Sequence, residues 1–267
     1  MITSKEIAAC LQAVREKSPL VHNITNYVVM NNTANALLAI GASLVMAHAE
    51  NEVEDMVGIA SSLVINMGTL SEKWVNAMLS AGKKAVANGT PVVFDPVGVG
   101  ATPYRTETAA AIIDECRPTV IRGNASEIMA LSNANVKTKG VDSTMSSDSA
   151  LDSAKLLAKE TGAIVVISGS TDFITDGDQV LSIENGAEIM ARVTGMGCTA
   201  TAIVGAFVGA ESNTLKATVA AMAAMGISGE NAAEISKGSG SMQVHFLDEM
   251  YNLTPETLET QLKLNYA

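Results

Sequence analysis

Four short polar or glycine-bearing segments each follow an apolar run, and each has residue types that could meet a phosphate or a metal. The first is Thr194-Gly195-Met196-Gly197-Cys198-Thr199-Ala200, which leads into an uncharged stretch read as a helix from Cys198 onward. Two glycines ahead of a helix N-terminus let backbone N–H groups converge on an anion, and the helix dipole assists. The alternative is a tight turn with close helix packing. A dinucleotide fingerprint fits poorly, because a helix from Thr214 occupies the place of the required second strand and acid. The second segment is Asp95-Pro96-Val97-Gly98-Val99-Gly100-Ala101-Thr102. Pro96 forces Asp95 into an extended conformation, so its carboxylate projects from a strand end into a glycine loop. There it could hold Mg²⁺ directly or through water, or simply form an Asx turn or N-cap. No lysine follows these glycines, which excludes a Walker A loop. In the third segment, Arg122-Gly123-Asn124-Ala125-Ser126-Glu127, Arg122 can approach a phosphate as a bidentate cation. Asn124 and Glu127 share a first helical turn and equally suit a capping box. The fourth, Ser168-Gly169-Ser170, is compatible with a nucleotide phosphate or an ordinary turn. His22 and His48 come from different strands and are read as bonding backbone; Cys10 and Cys116 occupy apolar helical positions and are read as core.

Positioning these groups requires a scaffold in which short β-rich runs alternate with Ala-rich helices, the pattern of a layered α/β fold. Strands are expected at 20–23, 43–46, 63–66, 91–95, 119–122 and 164–168. Several are continuous apolar runs, as in central parallel strands covered on both faces. A hairpin, 173–175 with 180–183, adds an antiparallel edge around Asp176-Gly177-Asp178. Helices are expected at 4–16, 27–40, 71–88, 106–115 and 149–160, and the chain turns all-helical after residue 197, through 214–227 and 241–251 to 255–264. The stretch 142–152 reads as loop, too short to separate domains, so residues 1–267 are expected to form one domain. In an open parallel sheet, ligands bind beyond the carboxyl ends of the strands, where all four segments fall.

Composition narrows the function. The net charge is −11 and the pI about 4.7, which argues against a partner with a phosphate backbone, so no nucleic acid is expected. Nine aromatic residues against fourteen methionines point to a core of small and flexible apolar side chains. The three cysteines, Cys10, Cys116 and Cys198, are widely spaced without a C-x-x-C, which fits a reducing cytosol rather than disulfides or zinc. Lys5 and Glu6 interrupt the first turn, so no signal-peptide core is expected. The charge-free stretch 193–210 is rich in Gly and Thr and shorter than the roughly 20 residues of a membrane span, and is read as a buried helix.

Six segments in order carry a family resemblance: His22-Asn23-Ile24-Thr25-Asn26, Gly41-Ala42-Ser43-Leu44-Val45-Met46-Ala47, Asn66-Met67-Gly68-Thr69-Leu70, the Asp95 loop, Ile121 through Glu127, and Val193 through Cys198. Together the chain resembles the hydroxyethylthiazole kinase family of the ribokinase-like superfamily. The resemblance implies a layered α/β/α fold with a mostly parallel sheet, an antiparallel edge and a helical C-terminal part. It implies ATP-dependent phosphorylation of the primary alcohol of 5-(2-hydroxyethyl)-4-methylthiazole, a salvage step toward thiamine. It implies Mg²⁺ near Asp95 and Glu127, ATP contacts from Arg122 and Ser168, and thiazole contacts from Met46 and Gly195, with Asn26 a further candidate. A homotrimer with active sites at subunit interfaces is also implied. Where the wider superfamily has an aspartate base, this chain has Cys198, the residue expected at the catalytic position. The residues themselves agree: phosphoryl transfer needs positioning and charge neutralisation, and an apolar, Met-bearing rim suits a neutral heterocycle better than a sugar. The alternatives are a related kinase for hydroxymethylpyrimidine or pyridoxal, and a non-catalytic nucleotide- or thiazole-binding regulator.

Overall fold

The computed structural model describes residues 1–137 and 149–266. Six parallel strands run β2(Ser43–Val45), β1(Leu20–Ile24), β3(Ser62–Asn66), β4(Val92–Asp95), β5(Val120–Asn124) and β6(Ile164–Ser168) across the sheet. Three antiparallel strands follow, β7(Asp172–Thr175), β8(Val180–Ile183) and β9(Leu264–Tyr266), to make one nine-stranded sheet.

The central strands are largely apolar, with polar residues mainly toward their ends, because both faces are covered. Alternate residues go to opposite cores: Val64, Val93, Val120 and Val166 pack with one, and Leu63, Ile65, Phe94, Ile121 and Val165 with the other. The first core is closed by α1(Ser4–Lys17), α2(Met30–Ile40), α8(Met196–Ala210), α9(Thr214–Ile235), α10(Ser239–Asn252) and α11(Pro255–Gln261). The second is closed by α3(Val53–Ile59), α4(Glu72–Asn88), α5(Pro103–Cys116), α6(Ala125–Lys137) and α7(Ser149–Thr161). The fold is therefore the expected three-layer α/β/α arrangement with a mostly parallel sheet.

The uncharged helix α8 is central. Twelve of its residues are buried, and a Cβ at Gly205 would meet Val64 Cγ2 at 2.5 Å and Val21 Cγ1 at 3.3 Å. Such close approach to β1 and β3 explains a helix hydrophobic all round in place of an amphipathic one. Among the described residues, no helix is long and apolar enough to cross a membrane.

Several boundaries depart from the sequence expectation. Residues 27–29 form a turn, and α2 begins only at Met30. The helix expected from Cys198 starts two residues earlier, with Gly195 as N-cap at φ 83°. The last helix stops at Gln261, and 264–266, expected to begin inside it, form β9, whose backbone bonds to β8 outweigh the helical pattern. The short α3 and the 3₁₀ turn Glu188–Arg192 were not foreseen as elements, and α6 was foreseen only in its first turn at Asn124–Glu127. Of the expected loop 142–152, residues 142–148 lie outside the described residues, and the remainder belongs to α7.

Candidate functional site

Adjacent parallel strands put Asn66 and Asp95 side by side, as the last register pair of β3 and β4. Asp95 is only 2% exposed. Its Oδ2 accepts hydrogen bonds from Asn66 Nδ2 and from Thr201 Oγ1 on α8, both at 2.8 Å. Burial pushes the Asp95 carboxyl up to about 6, against the opposing pull of the Arg122 charge and the Thr201 and Asn66 hydrogen bonds. The Asx turn considered from sequence does not form; Val97 N donates to the backbone oxygen of Asp95 instead.

From Asn66 the network continues to the start of α8. Asn66 Oδ1 accepts from Gly68 N at 2.9 Å and from Asn26 Nδ2 at 2.8 Å. Asn26 Oδ1 accepts from Val28 N, which turns its amide nitrogen toward Asn66 and toward Cys198 Sγ at 3.4 Å. Two backbone N–H groups thus fix both amides in one orientation, and the sulfur receives a hydrogen bond. Burial raises the Cys198 thiol pKa, and the neighbouring Asp95 charge raises it further, while Asn66, Asn26 and Arg122 oppose.

On the other side of Asp95, Arg122 Nε donates to Ser168 Oγ at 2.8 Å, joining the ends of β5 and β6. The guanidinium lies against α8, since a Cβ at Gly197 would meet its Nη1 at 2.8 Å. Gly195 has no side chain to cap the helix, so the leading N–H groups of α8 are left for a ligand beside this cation. Glu127 and Asn124 do form the capping box, through Glu127 N to Asn124 Oδ1 at 3.0 Å and Asn124 N to Glu127 Oε2 at 2.9 Å. Glu127 also reaches out of that box, its Oε1 accepting from Gly98 N at 2.9 Å in the Asp95 loop. Arg122, Ser168 and Gly197 line a cleft of about 700 Å³.

Met46 lies half-buried just past β2, away from that cleft lining. Its backbone oxygen is 3.4 Å from His48 Nδ1, and the His48 ring packs at a tilt against Trp74, which Tyr27 also meets at a tilt. His22 is buried with Nε2 at 2.8 Å from Ala47 O, so both histidines do bond backbone. Cys10 and Cys116 are buried core residues as expected.

Three residues of this rim carried no functional reading in the sequence. Asn66 and Thr201 bind Asp95, and the only available signal was that Asn66 ends the strand beside it. Arg105 of α5 donates from Nη1 to Met67 O and Val97 O, both at 2.6 Å, and from Nη2 to Gly68 O at 2.9 Å. It clamps the loops after β3 and β4 through backbone carbonyls, a role that leaves no side-chain motif.

Asp172, at the start of β7, also lines the cleft and accepts from Gly169 N at 3.0 Å. Burial pushes its carboxyl from 3.8 up to about 6. Between those values the folded chain holds a proton that the unfolded chain has released, so this group's contribution to stability falls as pH rises. Above about pH 6 the penalty is complete and worth about 3 kcal/mol. Burial of the His22 ring lowers its pKa and acts in the opposite sense, losing stability as pH falls below its ordinary value. The comparison of Asp172→Asn with the parent isolates the first effect. The amide keeps the Gly169 bond, and its thermal midpoint should gain on the parent between pH 4 and pH 7. A difference independent of pH would show that Asp172 is ionised at no cost.

A fixed arginine, two carboxylates and an uncapped helix start gather at the open end of a parallel sheet, the place where open α/β folds bind their ligands. Comparison with known proteins is more specific. Residues 11–256 match the hydroxyethylthiazole kinase family. A hydroxyethylthiazole kinase of Syntrophus aciditrophicus is 54% identical over 98% of both chains, and one of Vibrio parahaemolyticus 53% identical over 97% of this chain and 98% of the other. The solved structure of hydroxyethylthiazole kinase protein from Pyrococcus horikoshii superposes with a TM-score of 0.91, at 41% identity and 98% coverage of both chains. The pyridoxal kinase of Staphylococcus aureus, solved with AMP-PCP, has a TM-score of 0.66 at 17% identity, covering 93% of this chain and 99% of that one, which shows a shared ribokinase-like fold alone. The chain belongs to the hydroxyethylthiazole kinase family and is a kinase, an enzyme that transfers phosphate to an alcohol.

Proposed function

We propose that this chain moves the γ-phosphoryl group of ATP to the primary alcohol of 5-(2-hydroxyethyl)-4-methylthiazole, giving the thiazole phosphate, ADP and a proton. The observation that carries the reading is the Arg122 guanidinium, pinned to Ser168 and lying against the uncapped start of α8. A phosphate in the cleft meets a cation and backbone N–H groups together, as a loose phosphoryl-transfer transition state requires. In this reading Arg122 and Ser168 bind ATP, and Met46 and Gly195 contact the thiazole. The Asp95–Asn66–Asn26–Cys198 network holds the acceptor end. The residues 1–267 act as one kinase unit, which the continuous nine-stranded sheet supports.

Asp95 and Glu127 would hold Mg²⁺. Both protein donors to Asp95 reach Oδ2, and each Glu127 oxygen accepts a single N–H, so lone pairs remain for a hard cation. Among the described residues no group of three or more His, Cys, Asp or Glu forms a cage. Mg²⁺ is usually kept by one or two carboxylates, water and phosphate oxygens. Mg²⁺ supplies neutralisation of the triphosphate charge. A homotrimer with shared sites belongs to the same reading, supported by Tyr27 and Val28, which lie beside Asn26 and are 62% and 65% exposed. Cytoplasmic location rests on the three free cysteines.

Turnover with ATP, Mg²⁺ and a panel of the thiazole alcohol, hydroxymethylpyrimidine and pyridoxal, followed by mass, tests this assignment. Phosphorylation of the pyrimidine or pyridoxal with an inert thiazole would replace the substrate, and binding without any turnover would favour the regulator.

Cys198 is the third residue of α8, and its raised pKa keeps it largely a thiol at neutral pH. A loose transition state releases the hydroxyl proton late, so little is asked of a base. Cys198→Ala should therefore lower kcat by about 10- to 100-fold, at or below the low end of general-base effects. Cys198→Asp, which keeps an acceptor for the Asn26 amide, should match or exceed the parent. Complete loss in the alanine variant, with ATP and thiazole still bound, would make the sulfur indispensable.

A further inference from the structure

The cleft that starts at Arg122 continues beneath the segment joining β8 to α8 and onto α9. There its wall is Ala187, Met190, Met222 and Met225, the last two 3% and 4% exposed. Gly226 lets the segment settle on α9, since a Cβ would lie 2.5 Å from Asn185 O. Among the described residues lining this part, Asn185 and Glu188 carry the only polar side chains, and Glu188 is exposed.

The Asn185 amide and the Gly186 and Ala187 N–H groups, which could read a base edge, are already spent on the protein. Asn185 Nδ2 donates to Glu230 Oε2 and to Gln261 O, both at 2.9 Å, and its Oδ1 accepts from Lys263 N at 2.8 Å. The backbone N–H of Gly186 goes to Glu230 Oε1 at 3.1 Å, and that of Ala187 to Met190 Sδ at 3.5 Å. Glu184 N donates to Lys263 O at 3.1 Å, and Ala187 O accepts from Met190 N at 3.0 Å.

Pockets differ sharply in what such wiring does to selectivity. A site whose polar groups await a partner rejects a ligand lacking that partner by about 10⁴–10⁵-fold, whereas an apolar pocket discriminates by roughly 10–200-fold. Methionine side chains adapt to rings of different outline and make favourable sulfur–ring contacts. We propose that this wall grips the nucleotide base by apolar and sulfur–ring contact without reading its hydrogen-bonding edge. The kinase therefore accepts purine and pyrimidine nucleoside triphosphates alike as phosphoryl donors. Affinity comes from the phosphates at Arg122 and α8, and purines are favoured modestly because they bury more surface. The proposal rests on the reading of the cleft as the triphosphate site.

Two measurements on the full chain test it. The first is kcat/KM for ATP, GTP, CTP and UTP with Mg²⁺ and the thiazole alcohol. The second is displacement of a fluorescent nucleotide by the same four compounds, which needs no turnover. The four values should fall within about 30-fold of one another in both, inside the range of an apolar pocket, with the purines ahead. Met225→Ala should weaken all four alike and keep their ranking. ATP binding or reacting more than about 10³-fold better than the other three would overturn the proposal, as would a Met225→Ala effect confined to ATP. Failure of all four to bind would instead overturn the reading of the cleft itself, and the proposal with it.

Discussion

Glu127→Gln is expected to lower kcat/KM by about 10²-fold and to raise the Mg²⁺ concentration for half-maximal activity by about tenfold or more. The carboxylate serves two backbone donors at once, Asn124 N within its own helix start and Gly98 N in the Asp95 loop. A glutamine offers one acceptor oxygen and presents its amide nitrogen to the other N–H. The unpaired donor costs about 1–3 kcal/mol locally, which is felt in the thermal midpoint but leaves the two cores intact. Loss of the negative charge would remove half of the carboxylate pair proposed to face the triphosphate, and displacement of the Gly98 loop would carry Asp95 with it. An Mg²⁺ titration unchanged from the parent, with circular dichroism also unchanged, would return Glu127 to a capping-box role alone.

Gly197→Ala sets helix propensity against function. Gly197 lies in the first turn of α8, where alanine is intrinsically favoured by up to about 1 kcal/mol. The added methyl would nevertheless sit 2.8 Å from Arg122 Nη1 and 3.3 Å from Nη2. Those are the far atoms of a long side chain, so the guanidinium yields and the backbone does not. In yielding, it leaves Ser168 Oγ and the place where phosphate is proposed to meet the α8 N–H groups. Displacement on the order of 1 Å at a reacting phosphate is worth about 10²-fold in rate. The variant should therefore melt at the parent's temperature or slightly above while kcat/KM for ATP falls about 10²-fold. Parent-like ATP kinetics would mean that Arg122 has no part in the phosphate site.

Asp95, Arg122, Ser168 and Gly195 were legible in the sequence as strand-end and helix-start residues, because strand runs, proline and glycine punctuation and caps are local in the chain. The capping box of Asn124 and Glu127 was legible for the same reason, as were the antiparallel edge and the buried helix α8. Short elements were not: α3 has seven residues and β9 three, too few for a periodic signal, and β9 exists only because β8 is there to pair with it. The site's wiring was also out of reach. Asn66 meets Asp95 through strand register, Thr201 reaches it from 106 residues away, and Arg105 binds carbonyls 8 to 38 residues distant. Asn185 is occupied by partners 45 to 78 residues further on, which leaves its amide no N–H for a ligand in the cleft. The sequence by itself determined which chemical groups stand at the open end of the sheet. Only the tertiary structure decided which of them are spent on one another, because hydrogen-bond capacity is consumed by whatever packing brings within 3 Å, and one chain read in order carries no record of that.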